Sequence, residues 1–264
     1  MSATVNDTPT AEAQETTARN SAPSGWKALI IQPVILGLIL AGMLFWLGNA
    51  QLTEVEKVTL APASIWSLTL EHLKLTAISA VIVLALAIPL GIILTRKPFR
   101  KLTGFFMGLA NVGQAAPMVG LIVLFAFWLG FGTNAALVTL VVYAFLPVLK
   151  NTMVGLDAVD HRLIEAARGM GMSAMQVLFK VELPLAVPVM LAGIRTALVL
   201  LVGSATLATF INGGGLGLLI TTGVNLAQNR VLVFGSVLVA IFALAIDWLA
   251  RVVEHIATPK GLTR

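Results

Sequence analysis

Long apolar runs fill most of the chain, and polar residues gather in short segments between them. A helix needs about 20 consecutive apolar residues to cross the hydrocarbon core of a bilayer. Six runs come near that length or exceed it, and each is predicted to span the membrane: residues 29–47, 73–95, 102–131, 135–149, 184–210 and 231–253. The pattern therefore predicts an all-α integral membrane protein with six transmembrane helices.

The third run is longer than one span needs, and it contains a predicted break. Its middle reads NVGQAAP, residues 111–117, where Pro117 removes a backbone donor and Gly113 loosens the helix. Basic residues lie just before this run and again after the fourth run, and basic loops favour the cytoplasmic side. An even number of crossings must separate two cytoplasmic segments, so the third run is predicted to cross once and the fourth to cross back.

Charge and composition also describe the two ends of the chain. Basic residues before the first span and at the C-terminal end place both termini in the cytoplasm. Residues 1–26 are polar and are predicted to be a disordered cytoplasmic tail. The transmembrane domain is predicted at residues 27–253, and a cytoplasmic C-terminal tail at 254–264. The first apolar run exceeds the core of a signal peptide, about 7–15 residues, and is predicted to be retained.

Composition excludes several other classes of protein. Hydrophobic residues make up 58% of the 264 residues and charged residues 11%, whereas soluble domains carry about 25% charged residues. The net charge of +5 comes from residues at the ends of apolar runs, so nucleic acid is not an expected partner. The chain has no cysteine, its three histidines are scattered, and no phosphate-binding loop ends in Gly-Lys-Ser/Thr. Neither a metal site nor ATP hydrolysis by this chain is predicted, and no residue is predicted to be catalytic.

One moderately polar stretch, EAARGMGMSAMQVLFKVELP, interrupts the apolar runs at residues 165–184. Asp160 is the predicted N-cap of a first helix that ends near Gly171. Ser173 and Gln176 form the predicted capping box of a second helix. Two helices of about ten residues are too short to be stable alone in water, so they need a surface on which to dock.

The second of these helices carries an apolar face. Met175, Leu178 and Phe179 fall on the same side at helical spacing. That side packs either on the chain's own membrane helices or on another protein, and the residues alone leave both possibilities open.

The same stretch resembles the EAA-loop signature of ABC-importer permeases, with valine at one position where isoleucine is more usual. The longer run from GLDAVD to IRTAL, and the segments TLEHLKL, IPLGIILTR and ATLATFINGGGLG, resemble the branch that imports osmoprotectants such as glycine betaine, choline, carnitine and proline betaine. The resemblance covers residues 68–251, does not include the N-terminal tail, and matches the first span loosely. The residues that match the signature are Glu165, Ala166, Ala167, Gly171, Val181, Leu183 and Pro184.

The resemblance implies a type-I, MetI-like permease core of five helices, preceded by one further N-terminal helix. Residues 151–183 would form a cytoplasmic coupling loop seated in a separate ATPase subunit, which would bind ATP and Mg, while this chain would bind no cofactor. A second permease subunit, identical or paralogous, and an extracytoplasmic binding protein would complete the complex in the bacterial cytoplasmic (inner) membrane. Glu165 is predicted to face the ATPase, the alternative being a solvated charge paired with Arg162 or Arg168.

Several polar residues are candidates for the translocation path or its gates. A charge as deep in an apolar run as Arg195 is functional by default. A structural pairing, with Asp247 as a plausible partner, is preferred to substrate contact, because a cation is a poor ligand for a quaternary ammonium group. INGGGLG, residues 211–217, is predicted to be either a re-entrant outer-gate element or a plain turn. The candidates for the path are Asn111, Gln114, Asn151, Arg195 and Thr209.

Two other interpretations stay open on the sequence alone. The cargo could be another amine, an amino acid or a thiol-histidine betaine. An ion-coupled secondary transporter or channel would need acidic or histidine relays within the membrane, and spans one to five hold almost none. Most aromatic residues that could form a cage lie near span ends, which favours an aromatic belt. Selectivity is therefore predicted to reside in the binding protein, and this chain is predicted to be the permease subunit of an ATP-driven osmoprotectant importer.

Overall fold

The computed structural model describes residues 26–257, which form helices joined by short turns and contain no strand. The predicted N-terminal tail and the end of the C-terminal tail lie outside these residues. Two 3-10 turns, Arg100–Leu102 and Thr206–Ile211, and one π turn, Leu178–Glu182, connect the α-helices. The α-helices are α1 Trp26–Gly48, α2 Glu54–Thr59, α3 Pro62–Leu94, α4 Thr103–Ala115, α5 Met118–Leu129, α6 Thr133–Asp157, α7 His161–Gly169, α8 Ala174–Val177, α9 Leu183–Ala205, α10 Gly217–Asn225 and α11 Asn229–Ala257.

The all-α membrane fold of the prediction is confirmed. Five helical segments between residues 26 and 257 are long and apolar enough to cross a membrane, and a sixth is added if α4 and α5 form one broken span. The fourth predicted span, residues 135–149, is longer in the structure, because α6 continues to Asp157. Likewise α11 continues to Ala257, four residues beyond the predicted end of the last span.

A sharp break divides the third apolar run at the predicted position. The chain bends by 103° between α4 and α5, with Ala116 in an extended conformation and Pro117 at the N-cap of α5. Proline disfavours helical geometry in the residue before it, which accounts for the break at this point. At 1.5 Å per residue each arm is only about 18–20 Å long, too short to cross the hydrocarbon core alone. That the pair crosses the membrane once stays a prediction.

Helix α6 lies at the centre of the bundle and packs on α3, α9, α4 and α5. Its buried face contains small residues and leucines, including Ala136, Leu140 and Ala144. Helix α9 comes very close to α6 at Gly193, where an added Cβ would lie 2.4 Å from the Cβ of Asn151. Small residues that let two backbones approach are a common basis of helix packing in membranes.

Helix α1 lies at the edge of the bundle, in agreement with the prediction of an extra N-terminal helix. It packs on α11, and most of its apolar side chains are exposed. Two side-chain hydrogen bonds hold it there: Gln32 Nε2 donates to the carbonyl of Leu244 at 3.0 Å, and Trp248 Nε1 donates to the carbonyl of Leu29 at 2.6 Å.

Candidate functional site

Helix α7 has a specific cap at each end. The Asp160 carboxylate accepts a hydrogen bond from the Arg162 N–H at 2.9 Å, as the sequence predicts. At the other end Gly171 has a φ of +84°. The N–H of Gly171 donates to the Arg168 carbonyl at 2.9 Å and that of Met172 to the Ala167 carbonyl at 3.2 Å. These two bonds form a Schellman motif, which stops the helix and turns the chain sharply.

The second helix of the polar stretch differs from the prediction. The predicted capping box is present, because Ser173 N–H donates to Gln176 Oε1 at 2.8 Å and Gln176 N–H donates back to Ser173 Oγ at 3.4 Å. Helix α8 is only four residues long, however, and continues through the π turn into α9. Pro184 has no N–H to donate to a carbonyl four residues back, and in the turn before it the Leu183 N–H bonds to Leu178, five residues back. The second helix is therefore the start of a membrane span rather than a separate unit of about ten residues.

The predicted apolar face of this segment is divided between two environments. Val177 and Leu178 are buried, and Leu178 packs with Leu156 and other apolar side chains of α6 and α9. In contrast, Met175 and Phe179 are 62% and 61% exposed. One side of the segment therefore docks on its own bundle, and the other side is uncovered. That the uncovered side packs on another protein stays a prediction.

The residues of the EAA signature follow the same division. Ala167 of α7 is buried, and Val181 and Leu183 are half-buried. The exposed residues of the signature include Ala166, Gly171 and Pro184. The Glu165 side chain is 69% exposed and lies 3.7 Å from His161 Nε2. Among the residues the structure describes, no ion pair joins Glu165 to Arg162 or Arg168. That Glu165 faces the ATPase stays a prediction.

A buried ion pair within this region was not predicted. Arg96, just beyond α3, donates from Nη1 to Glu182 Oε1 at 3.1 Å and from Nη2 to Glu182 Oε2 at 2.5 Å. The Glu182 side chain is 6% exposed. The only available signal was a carboxylate inside a polar stretch and a basic loop 86 residues earlier, and no helical spacing connects the two.

A cavity of about 690 Å³ opens between the end of α3, the end of α6 and α7. Charged side chains of both signs surround it. Its lining residues are Thr95, Arg96, Lys97, Arg100, Leu156, Asp157, Val159, His161, Ile164, Glu165, Arg168 and Glu182. The described part of the chain contains no group of His, Asp and Glu residues able to hold a metal ion.

The candidate path residues are not brought together into one site. Asn151 Nδ2 donates to the Pro147 carbonyl at 2.8 Å, and its side chain lies against Gly193 between α6 and α9. Thr209 is half-buried in the 3-10 turn, while Asn111 and Gln114 lie on α4 next to the break. No hydrogen bond between described residues joins any two of the five candidates, so their role as a path stays a prediction.

Arg195 has the partner that the sequence suggested. Its Nε donates to Asp247 Oδ1 at 2.5 Å, which links α9 to α11. Arg251 Nε donates to the second oxygen of the same carboxylate at 3.0 Å. The Asp247 carboxylate thus lies between two guanidinium groups, an arrangement that positions two helices relative to each other.

The glycine-rich segment is a tight turn followed by a helix. Asn212, Gly214 and Gly215 all have positive φ, and α10 then packs on α11. The turn rests on α3, because the Gly215 N–H donates to Glu71 Oε2 at 3.2 Å and a Cβ on Gly215 would lie 3.0 Å from His72 Nδ1. Whether this element works as an outer gate stays a prediction.

At the N-terminal end of α11 an ion pair holds the short helix α2 in place. Arg230 Nη1 donates to Glu56 Oε2 at 3.2 Å, and the Glu56 side chain is almost completely buried. Glu56 also accepts from the Thr53 N–H at 2.9 Å in a capping box. The hydrogen bond from the Thr53 backbone, supported by the nearby Arg230 charge, lowers the pKa of Glu56 below its ordinary value despite the opposing effect of desolvation.

Comparison with known proteins identifies the family. Residues 87–256 match the family described as binding-protein-dependent transport system inner membrane component. The chain belongs to this family. The permease is also 42% identical to the glycine betaine/carnitine/choline transport system permease protein OpuCB of Bacillus subtilis, with 73% of this chain and 88% of the relative covered. It is 35% identical to the osmoprotectant import permease protein OsmW of Salmonella typhimurium, with 74% and 93% covered.

A solved structure supports the same assignment. The permease matches a chain of the MetNI methionine ABC transporter in an inward-facing conformation with a TM-score of 0.65 and 25% identity, covering 76% of this chain and all of the other. The predicted MetI-like fold and the identity as an ABC-importer permease are confirmed. In this family the permease is a non-catalytic subunit and the ATPase is a separate one. The permease is therefore a multi-pass membrane protein that works with an ATPase and a substrate-binding protein.

Proposed function

We propose that this permease forms the translocation path for quaternary ammonium osmoprotectants and that its ATPase moves it through the segment from α7 to the π turn, residues 161–182, here called the coupling element. The observation that carries the proposal is the uncovered apolar surface of that element. Met175 and Phe179 are exposed on a segment held by two capping motifs. Exposed apolar side chains on a rigid scaffold are typical of a protein–protein contact.

The shape of the coupling element suits the transmission of force. The Schellman motif and the capping box fix the turn at Gly171, and the helix then runs without interruption into α9. A force that the ATPase exerts on Met175 or Phe179 would therefore move a membrane span as a rigid body. In this proposal Glu165 contacts the ATPase at the edge of the apolar surface, because its carboxylate is exposed and its one ion-pair partner among the described residues is His161 on the same helix.

The remaining parts of the complex follow from this arrangement. The ATPase binds ATP and Mg, and the permease chain itself holds no cofactor. Two permease subunits, identical or paralogous, enclose the path, and an extracytoplasmic binding protein delivers the cargo. Both termini and the coupling element face the cytoplasm of a bacterial inner membrane. The proposed units are the N-terminal tail at 1–26, the transmembrane domain at 27–253 with the permease core at about 68–251 and its loop at 151–183, and the C-terminal tail at 254–264, whose first four residues belong to α11.

The cargo is proposed from the relatives. The names of the relatives mention glycine betaine, carnitine, choline and osmoprotectant import. The common chemistry of the three named compounds is a quaternary ammonium group. No aromatic cage is needed in the path, because the binding protein recognises this group before delivery.

Reconstitution in proteoliposomes tests the proposal. The permease is combined with its ATPase inside and its loaded binding protein outside, and uptake of labelled glycine betaine, carnitine or choline is measured. Uptake should require internal ATP and the binding protein. Uptake driven by an ion gradient without the ATPase would instead indicate a secondary transporter.

A double variant and a matched control test the docking surface in the same preparation. Met175→Asp combined with Phe179→Asp should release the ATPase from the purified complex, because two charges would enter an apolar contact. Val58→Asp is the matched control, since Val58 is an exposed apolar residue of α2 that the proposal places on the opposite side of the membrane. Retention of the ATPase by the double variant would refute this docking site.

A further inference from the structure

Among the described residues, the Arg96–Glu182 ion pair is the polar contact that connects the end of α3 to the coupling element. Besides its two bonds to Glu182, the Arg96 guanidinium donates from Nε to the Ile92 carbonyl in the last turn of α3, at 3.3 Å. The planar group is therefore held on one side by the end of α3 and on the other by the π turn. A bidentate pair of this kind fixes the relative orientation of the two side chains as well as the distance between them.

The burial of the carboxylate makes this contact hard to separate. Glu182 is 6% exposed, while Arg96 is 35% exposed. Withdrawing Arg96 would leave a buried negative charge without compensation, which is strongly unfavourable. A movement of the π turn is therefore followed by the end of α3, because the alternative is to break the pair.

Helix α3 packs directly on α6 and α9, whereas the π turn packs mainly on α7, α8 and α9. Ile88 and Ile92 of α3 also pack against the small apolar cluster that contains Leu178. The polar connection between α3 and the π turn is the contact between Arg96 and Glu182. Within residues 26–257, Arg96–Glu182 is the one ion pair that joins α3 to the coupling element.

We propose that Arg96 and Glu182 are positioning residues that transmit the movement of the coupling element to α3, so that one ATPase contact moves two spans, α3 and α9, together. Helix α9 follows the element because the chain is continuous, and α3, which also packs on α9, is joined to the element itself by this ion pair. The inference rests on the proposed function, because it presupposes that the ATPase acts on the coupling element.

The test compares the number of cargo molecules moved per ATP hydrolysed in the reconstituted complex. Arg96→Gln and Glu182→Gln should each retain the bound ATPase but lower this ratio about tenfold, within the range typical of energetic coupling between two sites. The exchanged pair, R96E with E182R, should recover much of the ratio. Arg100→Gln is the matched control, because Arg100 lines the same cavity but makes no ion pair with a described residue.

Each outcome separates the inference from the proposal on which it rests. The inference would be overturned if the single variants moved the normal number of cargo molecules per ATP. It would also be overturned if the exchanged pair moved no more cargo per ATP than the single variants. Loss of the ATPase from the single variants would also overturn it, since the pair would then serve docking rather than transmission. If the wild-type ATPase does not bind the coupling element at all, the proposed function itself fails.

A second measurement covers single variants that do not fold in the membrane. The chain contains no cysteine, so Arg96→Cys and Glu182→Cys can be introduced together and joined by a short bis-methanethiosulfonate reagent. The unlinked double variant should have a low transport ratio, and linking should raise it. A ratio that linking leaves unchanged would contradict transmission through this contact.

Discussion

Replacement of Gly171 tests the rigid turn of the coupling element. At a φ of +84°, a residue with a Cβ in left-handed geometry costs about 1–2 kcal/mol. No other atom lies within 4 Å of a Cβ added at this position, so the cost is conformational and not steric. Gly171→Ala should therefore weaken the turn by about 1–2 kcal/mol, and Gly171→Asn by less, because asparagine tolerates positive φ.

Gly169 provides the matched control two residues earlier. It lies inside α7, a Cβ there also meets no atom within 4 Å, and its φ is not positive. Gly169→Ala should stabilise the helix by about 1 kcal/mol, since alanine is the better helix former. The two substitutions add the same atom and are expected to act in opposite directions.

Hydrogen exchange in nanodiscs measures the effect directly. The Gly171 and Met172 amides donate the two bonds of the Schellman motif, and a loss of 1–2 kcal/mol should raise their opening about 5–30-fold. Uptake should fall in Gly171→Ala, while membrane insertion is retained. Unchanged hydrogen exchange in Gly171→Ala would contradict a strain at positive φ in this turn. Equal changes in exchange for the Gly169 and Gly171 variants would contradict it as well.

Three further predictions concern the rest of the bundle. Gly193→Ala should lower the free energy of unfolding of the purified permease by about 1–3 kcal/mol through overpacking. Gly203→Ala on the same helix should not, because no atom lies within 4 Å of a Cβ added there. Asp247→Asn should cost about 1.5–3 kcal/mol in a denaturant titration by weakening its charged hydrogen bonds to two arginines; an unchanged midpoint would contradict the role of the carboxylate in joining α9 to α11. Because the pKa of Glu56 is lowered in the folded protein, its carboxylate adds stability above the ordinary glutamate pKa, about 4.3. This stability is lost as the pH falls from there through the folded-state pKa. In Glu56→Gln, thermal stability should therefore depend less on pH in that acidic range.

Local signals in the sequence predicted the local structure well. The caps at Asp160 and Ser173 depend on side chains two or three residues from their partners, so the sequence contains the whole interaction. The break before Pro117 is equally local. Arg195 and Asp247 are 52 residues apart, yet the pair was anticipated because a charge deep in an apolar run needs an opposite charge.

Features that depend on the packing of distant segments were missed. The sequence shows that Pro117 breaks a helix but not that the chain bends by 103° there, because the bend is set by how both arms pack on α6. The Arg96–Glu182 pair joins residues 86 apart and was missed because both lie in segments where solvated charges are ordinary. The continuity of α8 with α9 was missed because a proline normally marks a helix boundary, whereas here a π turn accommodates it.

Crosslinking from Phe179 is the most direct test of the central claim that an ATPase docks on the coupling element. A photoreactive phenylalanine analogue replaces Phe179 in the assembled complex, and a second sample carries it at Phe45, an exposed residue near the end of α1. A crosslinked product with the ATPase is expected from Phe179 and none from Phe45. Products from Phe179 that contain only lipid or the permease itself would contradict the claim.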